Sequence, residues 1–141
     1  MLLFLAFAFV LSGAAGLVYE TIWTRYLGLF VGHAAYAQII VLVIFIGGMS
    51  LGAFAVGNRS SRLRRPLLWY AGVECAAGVL AFVFHPIFVT TTNFAYTHIF
   101  PRLAGGAGSL GVMAVQWSLA ALLILPQSVL LGATFPLMSA G

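Results

Sequence analysis

The sequence predicts an all-α integral membrane protein of four transmembrane helices with both termini on the cytoplasmic side (N-in/C-in). Three observations lead there. Hydrophobic residues make up 63% of the 141-residue chain and charged residues 6%. Soluble domains carry about 25% charged residues, so this chain has too little polar surface to face water. Four predominantly apolar stretches reach the roughly 20 residues that a helix needs to cross a ~30 Å hydrocarbon layer. Four arginines fall in one short joint, 58–65, and the positive-inside rule assigns that joint to the cytoplasm.

The first span, 1–19, contains no charge, and its helix has room to continue to 30. Its "LLFLAFAFVLSGA" resembles the apolar region of a signal peptide. No positive segment precedes it, however, and the apolar run continues through Leu17 and Val18. Retention is the stronger reading, cleavage the weaker. The second span, 34–57, is "AAYAQIIVLVIFIGGMSLGAFAVG". The third, 66–89, is apolar except for Glu74. The fourth, 109–131, contains Pro126, which should kink its cytoplasmic third. The Thr- and Gly-containing segment 90–108 is expected as an outer loop, and the whole chain, 1–141, as one membrane domain of the cell inner membrane. Trp69 and Tyr70 suit the inner interface; Tyr19, Trp23, Tyr26 and Tyr36 suit the outer one.

Several function classes fall away. The basic balance comes from one short cluster without interleaved aromatics, so it does not point to nucleic acid. The single cysteine, Cys75, excludes a disulfide framework and a cysteine-based metal site, and a small buried hydrophobe is its expected role. With no aspartate and only two acids, Glu20 and Glu74, neither a Ser-His-Asp set nor paired carboxylates can form. No catalytic, cofactor-binding or metal residue is assigned. His33, His85 and His98 all map to the outer side, where a haem between helices is geometrically conceivable; polar residues near an interface are the ordinary explanation. "GAGSLG", Gly106 to Gly111, is a literal G-x-G-x-x-G, but no strand precedes it and no acid follows it. The "NRS" at Asn58 matches a glycosylation acceptor, yet lies in the loop assigned to the cytoplasm.

The candidate functional residues are the charges inside or beside the spans. Glu20 and Arg25 are five apart, about 140° around a helix, too far round to pair with each other. Glu20 and Trp23, three apart, share a face. Interfacial anchoring is the ordinary role for this group; a pair to another helix or subunit, or a substrate contact, is the sharper one. Glu74 lies about two turns into the third span, where an ionised carboxylate is costly and by default marks function. A pair with an arginine of the preceding loop (Arg59, Arg62, Arg64, Arg65) is its structural reading, and transport or proton handling its functional one. Gly28 and Gly32, and Gly48 and Gly52, have the close-packing spacing of helix interfaces, and Gly47 and Gly57 extend the second stripe.

Three stretches, in order, resemble one family: "SGAAGLVYETIWTRYLGLFVG" (Ser12 to Gly32), "GGMSLGAFAVGNRSSRLRRPLLWYAGVE" (Gly47 to Glu74) and "LLGATFPLMSAG" (Leu130 to Gly141). They are similar to the N-terminal membrane region of membrane-bound spermidine synthase-like proteins, in which major-facilitator-like helices are fused to a spermidine synthase. Glu20, Trp23 and Arg25 correspond to an E-x-x-W-x-R pattern there. Gly57, Arg62, Arg64 and Arg65 match the loop between helices two and three of major facilitator transporters, with Ser61 where that pattern has aspartate. The resemblance implies that a soluble aminopropyltransferase domain follows the helices, using decarboxylated S-adenosylmethionine and a diamine gripped by acidic residues. Two glutamates in or beside membrane spans cannot form that site. The expectation is therefore a fragment or a shortened relative: a non-catalytic membrane module acting as an anchor or accessory subunit of a larger complex. Its partners would be the bilayer and other membrane subunits or further helices of the same protein. The alternatives are the membrane part of a polyamine aminopropyltransferase whose catalytic domain lies outside this chain, and half of a carrier for an amine or other small metabolite.

Overall fold

Every long apolar run becomes a helix, because in lipid each backbone N–H and C=O must be satisfied within its own segment. A computed structural model describes residues 2–60, 63–103 and 108–140. The chain forms α1 (Leu2–Val31), α2 (Ala34–Ser60), α3 (Pro66–Phe94), a π-helical turn (Ala95–Ile99), the short α4 (Phe100–Leu103) and α5 (Gly108–Ser139). Among the described residues, four helical segments are long and apolar enough to cross a membrane: Ala6–Val31, Ala34–Ser60, Pro66–Leu103 and Leu110–Ser139. Outward-facing Phe82 and Leu29 are 88% and 80% exposed. Such a surface is stable against lipid tails and would aggregate in water.

The helix boundaries follow local chemistry. Gly32, at φ 84°, ends α1 in the left-handed conformation that glycine adopts most readily. Its amide donates to the Gly28 carbonyl at 3.0 Å, and two residues suffice to reverse the chain into α2. Pro66 opens α3 at the first helical turn, where its missing N–H leaves nothing unpaired. Past the expected end of the third span the chain stays helical as far as Leu103, which corrects the outer-loop assignment of 90–103; 104–107 lie outside the described residues. The threonine hydroxyls that made this stretch look like a loop bond back to the carbonyls of their own helix. Thr90 and Thr92 donate to the carbonyls of Pro86 and Phe88, each at 2.8 Å. Tyr96 donates to the Phe30 carbonyl at 3.0 Å, and the Phe30 ring packs on Tyr96 and Phe100, so the extension is fastened to the end of α1. At a rise of ~1.5 Å per residue the third span is roughly 57 Å long, so one end projects beyond a ~30 Å hydrocarbon layer. α5 likewise runs past the expected 131, through both Pro126 and Pro136, to Ser139.

Packing centres on α2 and α5, which run parallel and make the most extensive contact; α5 also packs on α3, and α1 on α2. Small residues permit this. Gly48 lies against Ser128, Gly52 against Val129 and Ala133, and Gly132 against the Met49 backbone. Gly47 and Gly57 face open space, so they are not part of that seam. The core joins Trp23 and Leu27 of α1, Ile40 and Phe45 of α2, Phe84 of α3 and Ile124 of α5. Cys75 is exposed on the lipid-facing side of α3, not buried as its apolar surroundings imply.

Candidate functional site

Among the described residues, two places put an acidic side chain within the apolar spans. The first joins α1 to α3, which meet again where Trp23 and Tyr26 pack on Phe84, His85 and Phe88. Tyr70 and Glu74 are one helical turn apart on α3 and so share a face. Ser12 of α1 donates its hydroxyl to Glu74 Oε1, and the buried Tyr70 phenol lies beside both. Among the described residues Glu74 takes this serine as its hydrogen-bond partner, not the loop arginines Arg59, Arg64 and Arg65; Arg62 lies outside the described residues. Ser12 was not distinguishable in the sequence from other small residues, because nothing in its neighbourhood shows which α1 face meets α3.

The second place is an open groove of about 570 Å³ between the second half of α1 and the start of α2. Glu20, Thr21, Thr24 and Arg25 line it from α1, Gln38 from α2, and Gly28 and Gly32 keep its floor bare. Glu20 is half-buried and Arg25 exposed. Among the described residues neither has a hydrogen-bonding partner, whereas Thr21 is satisfied by the Leu17 carbonyl at 2.9 Å. The groove thus presents both signs of charge, a hydroxyl and a carboxamide on a face turned away from the core.

Trp23, expected at the interface with Glu20, instead points into the bundle and is 1% exposed. Its ring meets Phe45 edge-on at 5.7 Å and stacks on Tyr19 at 6.0 Å. The 60° between residues three apart is enough to put Glu20 in the groove and Trp23 in the core. Tyr70, also expected at an interface, is likewise buried, while Trp69 is exposed. Gly28 makes only ordinary contact with Ala34, and Gly32 serves the turn described above.

The histidines are dispersed. His85 shares a 2.8 Å hydrogen bond with the Tyr26 hydroxyl, His98 stacks on Phe94 at 4.9 Å, and His33 is exposed in the α1–α2 turn. Among the described residues no three His, Cys, Asp or Glu side chains gather as metal ligands would. A buried polar pair went unnoticed in the sequence: Gln127, 2% exposed on α5, donates to the Ala77 carbonyl of α3 at 3.3 Å. The run Pro126-Gln127-Ser128 inside an apolar helix was the available signal.

At the opposite end from the groove, Arg59, Arg64 and Arg65 are exposed around the α2–α3 joint. Compared with known proteins, the chain matches no family model, no curated protein and no solved structure.

Proposed function

We propose that this chain is a non-catalytic membrane module of spermidine synthase-like type, an anchor or accessory part of a larger assembly in the inner membrane, with both termini cytoplasmic. The observation that supports it is the polar groove of Glu20, Thr24, Arg25 and Gln38 on the outer wall of a helix pair. A carboxylate and a guanidinium facing hydrocarbon are costly, and intramembrane charges face a bundle interior or a partner. Further helices, of the same polypeptide or of another subunit, cover that wall. Gentle detergent extraction of the native protein, followed by intact mass measurement, tests this. A 15.0 kDa chain with stoichiometric partners supports the accessory-subunit form, and a much larger single polypeptide supports the anchor of an aminopropyltransferase. A 15.0 kDa chain that stays alone, with the groove open to lipid, overturns both.

The orientation is supported by the cluster of exposed Arg59, Arg64 and Arg65 at one end. In a Cys75→Ser background, a membrane-impermeant thiol reagent should label His33→Cys in intact cells and Arg64→Cys only after lysis. The reverse pattern would invert the topology.

One observation favours the carrier reading as a second choice: Glu74 sits between α1 and α3 with a serine as its partner, leaving the carboxylate's charge uncompensated. An amine or a proton is the complementary ligand. If Glu74→Gln leaves amine uptake by the native assembly unchanged, this reading is lost.

A further inference from the structure

At the arginine end α2 and α3 scarcely touch, and α5 forms the floor between them. The result is an open groove of about 410 Å³ between them. Its floor is Val129, Ala133 and Leu137, and its walls are Val56 and Val73. The polar lining changes only at the mouth, where Arg59 on the last turn of α2 faces the groove. Trp69, 60% exposed, lines the opposite lip, and an indole at the end of a span is suited to a headgroup layer. Arg64 and Arg65, both exposed, add positive charge beside it. The nearest acid, Glu74, follows Val73 in sequence but turns to Ser12 of α1, away from the groove.

We infer that this groove holds one molecule of an anionic phospholipid, its acyl chain along the α5 floor and its phosphate on Arg59. The argument is complementarity. No carboxylate of this chain lines the groove beside Arg59 among the described residues, so its counter-ion comes from outside, and a phosphate at the membrane surface suits the planar guanidinium. Basic pockets between transmembrane helices at the cytoplasmic surface bind anionic headgroups by the same logic. The inference requires only that the four helices span a bilayer. It stands or falls separately from the assembly proposed above.

The test is native mass spectrometry of the full chain from detergent, incubated with equimolar phosphatidylglycerol and phosphatidylcholine of the same acyl chains. One phosphatidylglycerol should be retained in preference to phosphatidylcholine. Arg59→Gln should reduce that retention about fivefold, the ~1 kcal/mol that one arginine contributes near an anionic surface. Val56→Trp, which fills the groove while leaving Arg59 in place, should reduce retention of both lipids. Arg102→Gln, on the short α4 past the far end of α3, should change nothing. Helical circular dichroism on each variant separates loss of fold from loss of lipid. Equal retention of the two lipids, or undiminished retention in Arg59→Gln, overturns the inference. So does a photo-crosslinker at Val56 that captures a protein subunit from native membranes instead of lipid.

Discussion

Gly52 of α2 lies so close to α5 that a Cβ there would overlap the Val129 carbonyl and come within 2.9 Å of the Ala133 amide nitrogen. Backbone cannot step aside as a flexible side chain can. Gly52→Ala should therefore destabilise the bundle by about 1–3 kcal/mol, the usual cost of overpacking. Gly47→Ala, about 1.4 turns earlier on an open face, is the internal control. With nothing within 4 Å of its Cβ, it should be neutral or stabilising by up to ~1 kcal/mol through helix propensity. Reversible unfolding in mixed micelles reads both. Equal stability of Gly52→Ala and the parent would mean that the α2–α5 seam is not closed in this way.

The Ser12–Glu74 hydrogen bond predicts an asymmetric pair of variants. Interhelical hydrogen bonds in membranes contribute about 0.6 kcal/mol on average and ~1.7 at most. Ser12→Ala removes the donor and leaves the carboxylate without it, so a loss toward the upper figure is expected. Glu74→Gln keeps an acceptor oxygen in place and should lose less. The same micelle titration ranks them, and a Glu74→Gln variant less stable than Ser12→Ala would show that the Tyr70 phenol, not Ser12, is the partner Glu74 depends on.

The four spans were legible because hydrophobic length is a direct reading of bilayer thickness. Which face of each helix points inward was not. In water an amphipathic stripe marks the buried side, but here lipid and core are equally apolar: exposed Phe82 and buried Phe84 sit two residues apart on α3 with nothing in composition to separate them. Only small and polar residues carried facial information, and they carried it unevenly. Gly48 and Gly52 are at the seam while Gly47 and Gly57 are not, a difference set by where α5 lies. Trp23 looked interfacial because tryptophan often is, and its burial depends on Phe45 and Phe84 arriving from two other helices. The segment 90–108 looked like a loop because Thr and Gly favour loops in water, yet over 90–103 a threonine hydroxyl satisfies a helical carbonyl from within.

That buried position makes Trp23 a stability residue. Trp23→Ala should cost about 3–5 kcal/mol, as large aromatic-to-alanine truncations in cores do. Trp69→Ala, at an exposed lip, should stay within about 0.5 kcal/mol of the parent, as surface substitutions usually do. If detergent unfolding shows the two tryptophans to be equivalent, Trp23 is an interfacial anchor after all and the α1 rotation described above is wrong.

Glu20 and Arg25 give the opposite signature, and they separate a structural role inside this chain from a role toward something outside it. Both line the open groove, and among the described residues neither is tied to the core. Glu20→Gln and Arg25→Gln should therefore leave the stability of the isolated chain within about 0.5 kcal/mol. In native membranes the same variants should weaken association. A charge-assisted contact buried between helices loses its stronger half when one partner is neutralised, at a cost of about 1.5–3 kcal/mol, or roughly ten- to a hundredfold in the association constant, which lowers the fraction assembled. Co-purification of subunits, or protease resistance of the intact polypeptide, measures that fraction. The combination of unchanged isolated stability and reduced assembly belongs to an interface. Reduced stability of the isolated chain would instead place Glu20 and Arg25 in the internal framework of α1 and α2, and the groove would then be no evidence for a covering helix.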